Sequence, residues 1–400
     1  MTGGDSENNL ILPAGIAVRG APGNEPGCEL TRRAHAERPH AYRTPFARDA
    51  TRILHARAFR RMAGKTQVFT RLPPDHVSDP PSDHFRSRLT HTLEVTQIAR
   101  TLARTLGLNA ELAEALALVH DIGHPPYGHA GEKALDHALK GHGLTFDHNL
   151  HALRIVTWFE ERYAAFRGLN LTLGVREGIV KHSRDYAASE HPELAEYFLD
   201  AFPPLEAQLI DLADEIAYLT ADLDDGMDSG ILTLEQVRAG VPMFRGFHDE
   251  AETMFPDAAP RLKVYEALRR MLNALVSDLI GEVHRRVAAL GAATTRELTL
   301  EDIRRAPTRV AALSAEMEAR RAVTKSFLYD NFYNSADMEE VHRHAEQVVT
   351  DLFAALMAEP ALMPEDHQAQ IASEGLARTV TDYIAGMTDS YIEQLWARTR

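Results

Sequence analysis

Apolar residues along this chain recur at steps of three and four. In 87–106 one stripe carries Leu89 and Leu93, and another carries His91, Val95, Ile98 and Leu102. Leu112, Leu116 and His120 repeat at four, and Leu268, Leu272, Leu275, Leu279 and Val283 share a face in 262–283. Near the end come Val341, Ala345, Val348, Leu352 and Leu356, then Leu376, Val380, Tyr383, Met387 and Tyr391. This is the period of an α-helix with one buried face. The pattern begins near Pro45, a residue suited to a first helical turn. No comparable run alternates apolar and polar positions, so the sequence predicts an all-α fold without a sizeable sheet.

Breaks in the pattern divide the chain. Pro73, Pro74, Pro80 and Pro81 mark a loop over 72–84. Gly123, Pro125 and Pro126 stop one helix before another begins near Gly131, and Pro203–Pro204 precede a helix over 205–222. Loops are expected at 224–230 and 254–260, and an apolar helix at 376–395, packed in the core or at a subunit interface. Residues 1–40 lack sustained periodicity and read as a mobile or loosely packed arm. The rest, 41–400, reads as one helical unit with a core over about 85–225 and a helical extension over about 230–400.

Composition narrows the chemistry. The 400 residues are 44% hydrophobic and carry a net charge of −15, which argues against a protein coated in basic surface for duplex DNA. The single cysteine, Cys28, excludes a disulfide framework and a cysteine-rich zinc site. With 20 histidines, any metal site uses nitrogen and oxygen ligands. No apolar stretch reaches the roughly 18 residues of a membrane span. The N-terminus lacks the build of a signal peptide, so a cytoplasmic location is expected.

The densest chemistry lies in 120–132, HDIGHPPYGHAGE. His120 and Asp121 end an apolar helix, where both can turn toward one ion. His91 lies on an otherwise apolar stripe. Asp214 sits among Leu212, Ala213, Ile216 and Ala217, where an unpaired carboxylate is costly and a cation relieves the cost. Two imidazoles and two carboxylates suit a divalent ion with open water positions. The candidate set is therefore His91, His120, Asp121 and Asp214, with Mn, Mg, Co, Ni, Fe or Zn as the ion. His129 and Glu132 lie three apart at the next helix start, a spacing that lets a carboxylate orient an imidazole for proton transfer. Asp214, Tyr218 and Asp222 recur at i, i+4 and i+8 on one helix face.

The residues Arg88-Leu89-Thr90-His91, His120-Asp121 and Asp214 resemble the signature of HD-domain metal phosphohydrolases. The strings KTQVF (65–69), RLTHTLEV (88–95), HDIGHPPYGHAGE (120–132), ADEIAY (213–218), DLDDG (222–226) and DYIAGMTD (382–389) resemble the deoxyguanosine triphosphate triphosphohydrolase-like family more specifically. The resemblance implies an HD-domain helical bundle with additional C-terminal helices. It implies hydrolysis of a deoxynucleoside triphosphate (dNTP) to deoxynucleoside and intact triphosphate, in a homo-oligomer. Another HD-domain nucleotide phosphohydrolase, or a helical oligomer that senses nucleotides or binds single-stranded nucleic acid, is the alternative.

In that frame His129 and Glu132 form a catalytic pair. His124 contacts phosphate or supports the ion, and Arg88 reaches a phosphate bound at the ion. Tyr218 stacks on the deoxyribose or packs in the core, and Asp222 accepts from the 3′-hydroxyl. Lys65 and Gln67 touch phosphate or sugar, or solvate a helix end. Arg57, Arg60 and Arg61 offer a face to phosphate, single-stranded nucleic acid, a neighbouring subunit or solvent. His137, His142 and His148 read as surface or packing residues.

Overall fold

The structure, a computed structural model, describes residues 10–19, 29–68 and 85–399. Cys28 and the expected loop 72–84 lie outside the described residues. Among those described there is no strand, only isolated bridges such as Thr66 with Ser87, and the fold is all-α.

Local rules set the helix ends. Thr44 caps α1 (Pro45–Leu54) by accepting from the Ala47 amide at 3.1 Å, and α2 (Arg57–Arg61) follows. Ser87 caps α3 (Arg88–Leu106), which Gly107 closes in the left-handed region at φ 72°. Asn109 caps α4 (Ala110–Val119), leaving His120 and Asp121 at its C-terminal end. The loop that follows leads into α5 (Gly128–Lys140). Asp147 caps α6 (His148–Arg154), and α7 (Leu173–Val180) and the long α8 (Leu205–Asp228) complete the region around the site.

The main core is built where α3, α4, α7 and α8 meet, with α1 and later helices against them. Leu102, Leu106, Leu112, Leu173, Leu209 and Leu219 are completely buried in it. Each such side chain contributes about 1.5–3 kcal/mol relative to exposure. Beyond it run α9 (Leu234–Gly240), α10 (Pro242–Met254), α11 (Pro260–Ala292), α12 (Leu300–Arg304) and α13 (Ala315–Leu328). Then come α14 (Ala336–Ala358), the short α15 (Glu365–Gln368) and α16 (Ile371–Glu374), α17 (Leu376–Ala385) and α18 (Asp389–Thr399). A second apolar cluster joins α5 to these last helices through Leu135, Leu139, Val348, Leu352, Val380 and Ile384.

Three expectations need correction. The described parts of 1–40 are not loosely packed: Leu12, Ile16, Val18 and Leu30 are buried, and the Val18 amide donates to buried Glu206 at 2.9 Å. These few apolar residues need no period because they join the main helical core from outside it rather than forming a helix face of their own. The expected loop at 224–230 is largely helix, since α8 continues to Asp228. Gly226 there packs against the Leu232 side chain, and Asp225 pairs with Arg86. The expected single helix 376–395 is two, broken at Gly386–Thr388, because Asp389 starts a new helix and turns back toward the site.

Candidate metal and phosphohydrolase site

Three helices deliver the site. His91 comes from the second turn of α3, His120 and Asp121 from the end of α4, and Asp214 from the middle of α8. His91 Nε2 lies 2.7 Å from Asp214 Oδ1, and His120 Nε2 lies 3.8 Å from the same oxygen and 3.6 Å from Asp121 Oδ2. Ligand atoms of His91, His120 and Asp214 all fall within 4.8 Å of one another. Three of the four candidates, far apart in the sequence, are thus brought together, and Asp121 lies beside them with its oxygens toward Arg88 and His124.

The donor set fits a divalent cation. His120 Nδ1 donates to the Ala117 carbonyl at 2.7 Å, which leaves the Nε2 lone pair aimed into the cluster, buried and without a hydrogen-bond partner. A buried imidazole nitrogen without a partner is the atom a metal would satisfy. Burial holds His120 below the ordinary imidazole value, in the neutral form a ligand requires. Burial alone would raise Asp214, but the His91 contact outweighs it and holds the carboxyl at about 2. Asp121 is also held well below the usual carboxylate range: burial opposes this, and Arg88, His120 and His124 overcome it.

Arg88 is buried, and its Nη1 donates to Asp121 Oδ2 at 2.7 Å, so here it orients a candidate ligand. His124 Nδ1 lies 3.0 Å from Asp121 Oδ1, and neither of its ring nitrogens makes a well-aligned hydrogen bond within the protein. A second cluster adjoins the first through this residue. The His129 Nδ1 proton points to Glu132 Oε2 at 3.2 Å, while Glu132 Oε1 accepts from His148 Nδ1 at 2.9 Å and from the His148 amide at 3.2 Å. His148 stacks on His124 with ring centroids 4.0 Å apart. The His129 side chain is 72% exposed whereas Glu132 is 12%, so a solvent-facing imidazole rests on a buried carboxylate. Burial would raise Glu132, yet donation from both histidines pulls it below its ordinary value.

The remaining candidates separate. Asp222 is buried and accepts from the Tyr333 hydroxyl, and burial pushes it up to about 7. The Tyr218 hydroxyl donates to Glu215 at 2.8 Å, with its ring against the main core. The Lys65 ammonium is buried and donates to the carbonyls of His124 at 2.6 Å and Ala385 at 2.8 Å, so it ties backbone segments together. Gln67 Oε1 is buried with no hydrogen-bond partner. Arg57, Arg60 and Arg61 are exposed, Arg61 donating to the Gly386 carbonyl. His137 and His142 are at the surface as expected.

Sequence reasoning missed His148, His182 and Tyr333. His148, expected as a surface or packing residue, shares Glu132 with His129. No helical spacing links it to Glu132; only its place at the start of α6, directly after the Asp147 cap, could have raised it. His182 follows α7, lies edge-on to His120 with centroids 5.3 Å apart, and donates to Asp211 at 2.8 Å. Asp211 is one helical turn before Asp214, a signal that was available.

Residues 88–219 match the family model of the HD domain, and residues 311–398 match that of the phosphohydrolase-associated domain. Histidines and aspartates from three helices, gathered in such a domain, define a metal-dependent phosphohydrolase of the HD class. The chain is 44% identical over 384 residues to a deoxyguanosinetriphosphate triphosphohydrolase-like protein of Ralstonia nicotianae, covering 95% of each chain. It is 45% identical to a protein of that name from Thiobacillus denitrificans (90% of this chain, 91% of the other) and 44% identical to one from Brucella suis (87% of each). The chain therefore belongs to the deoxyguanosinetriphosphate triphosphohydrolase-like family.

Proposed function

We propose that this protein hydrolyses deoxynucleoside triphosphates to deoxynucleoside and intact inorganic triphosphate, using one divalent metal ion. The observation that supports this best is the adjacency of two clusters with different chemistry. One is a candidate cation-binding group; the other is a solvent-facing imidazole backed by a carboxylate; His124 and Asp121 lie between them. The names of the relatives point to the same substrate class.

In this reading His91, His120, Asp121 and Asp214 hold the ion, which when bound supplies Lewis acidity at the α-phosphate and lowers the pKa of water. His129 moves the proton. Its Nδ1–H is fixed on Glu132, which leaves Nε2 to take a proton from the attacking water or to give one to the departing 5′-oxygen. The new bond joins the water oxygen to the α-phosphorus. The broken bond joins that phosphorus to the 5′-oxygen, which leaves protonated as the deoxynucleoside. With its Nδ1 beside Asp121, His124 offers Nε2 to the phosphate, and Arg88 keeps Asp121 in place. Asp222, held by Tyr333, receives the 3′-hydroxyl, a contact that discriminates better than exclusion of a group. A cytoplasmic homo-oligomer belongs to the same proposal.

The test is a panel of dNTPs and NTPs with Mn²⁺, Mg²⁺ and Co²⁺, products separated by chromatography. Release of inorganic triphosphate and deoxynucleoside is expected. Release of pyrophosphate or orthophosphate alone would replace this reading with another HD-domain phosphohydrolase.

A further inference from the structure

The C-terminal helices carry none of the residues assigned so far, yet one of their carboxylates grips the site. Asp389 opens α18 and is half-buried. Its Oδ2 accepts from the Thr66 amide at 2.8 Å and the Thr66 hydroxyl at 2.5 Å. Its Oδ1 accepts from the Tyr127 amide at 3.1 Å. Three donors from two remote segments therefore converge on one side chain.

Both gripped segments belong to the site. Tyr127 immediately precedes α5, whose first turns carry His129 and Glu132. Tyr127 and Gly128 occupy consecutive left-handed positions, φ 61° and 57°, and a residue with a β-carbon rarely stays there without support. That support comes from the C-terminal end: Asp389 takes the Tyr127 amide, and Glu393 accepts from the Tyr127 hydroxyl at 2.6 Å. Thr66 lies between Lys65, whose carbonyl accepts from the Arg88 amide at 3.0 Å, and Gln67. A β-carbon on Gly128 would press on the Arg88 guanidinium at 2.7 Å, so the Tyr127–Gly128 turn sets how closely α5 approaches Arg88. Lys65 adds a parallel tie through the His124 and Ala385 carbonyls.

We propose that Asp389 is a positioning residue for catalysis: it fastens the Thr66 segment to the Tyr127–Gly128 turn and thereby fixes His129 and Glu132 relative to Arg88 and the candidate metal ligands. On this account the phosphohydrolase-associated region aligns the proton-transfer pair without touching substrate. The proposal rests on the reading of His129 and Glu132 given above.

The test compares wild-type full-length protein with Asp389→Asn, both loaded with Mn²⁺ and assayed with dGTP. The amide keeps the shape but turns an N–H toward a donor, so at least one of the three contacts is lost. Metal content is expected to stay at the wild-type level and KM within about twofold, while kcat falls about 10- to 100-fold, the scale of a displacement near 1 Å. Hydrogen exchange, read by mass spectrometry on peptides containing Thr66 and Tyr127, is expected to quicken in both. Unchanged kcat, or a rise in KM alone, would overturn the proposal. Should Asp389→Asn fail to fold, Thr66→Val removes only the hydroxyl donor and is expected to lower kcat several-fold at constant KM; no change there overturns the proposal equally. If wild-type protein leaves dGTP and every other dNTP intact, the assigned function fails separately. Exchange at the two peptides then decides the clasp: quickening upholds it and no change overturns it.

Discussion

Replacing Glu132 by Gln removes one charge and almost no volume. The carboxylate accepts from both His129 and His148, so each ring presents an Nδ1 proton to it and keeps Nε2 free of one. A glutamine in the same place has one oxygen and one NH₂. Whichever way the amide sits, one imidazole meets a donor and must shift its proton to Nε2. With the oxygen on His148, whose amide also points there, His129 becomes the ring with the wrong tautomer. Its Nε2 then has no lone pair to accept a proton. Hydrogen bonds to a charged partner contribute about 1.5–3 kcal/mol each, and positioned acid–base groups about 10²–10⁴ in rate. Glu132→Gln is therefore expected to lower kcat by about 10²- to 10⁴-fold, with KM nearly constant and metal content unchanged. The assay is steady-state triphosphate release, with metal measured on the same dialysed samples. A variant that keeps full rate would refute the proton-transfer role. A variant that loses an equivalent of metal would make Glu132 a ligand instead.

Other outcomes follow from the same geometry. His120→Ala or Asp121→Ala is expected to remove bound metal and hydrolysis together; turnover with metal retained in either would refute the ligand assignment. Asp222 has a folded-state pKa of about 7 against roughly 3.9 unfolded, so the native state holds the extra proton between those values. Stability from this group is thus greatest at low pH and lost as pH rises toward 7. Asp222→Asn is expected to stabilise the protein by roughly 1–3 kcal/mol at pH 8 and little at pH 4, while weakening dNTP turnover; thermal melts at the two pH values check the sign, and a lower Tm at pH 8 contradicts it. A β-carbon on Gly123 would overlap the His148 carbonyl and the Ala152 amide, both backbone groups. Gly123→Ala is expected to cost about 1–3 kcal/mol and to slow turnover by shifting α6 and His148; denaturant unfolding at an undiminished midpoint would contradict that packing.

The helices were legible because their buried faces are long and regular. The α3 stripe through His91, Val95, Ile98 and Leu102 states both the element and its odd member, and that odd member is a candidate ligand. His120, Asp121 and Asp214 stood out for the same reason: polar groups in apolar surroundings need a partner. His148 did not, because its partner Glu132 lies on another helix and its neighbours Asp147 and Asn149 are polar. Lys65 was read for its charge alone, and no sequence pattern shows that two backbone carbonyls occupy its ammonium. The break at Gly386–Thr388 was hidden because the apolar positions Tyr383, Met387 and Tyr391 keep step across it. Asp389 inherits its role from that break, which only the tertiary packing reveals.

The most direct measurement of the central claim is anomalous diffraction from crystals of the full chain grown with Mn²⁺. The account predicts one strong peak among His91, His120, Asp121 and Asp214, at about 2.0–2.3 Å from their nitrogen and oxygen atoms. A single peak instead among His124, His129 and Glu132, or no peak at saturating Mn²⁺, would contradict it.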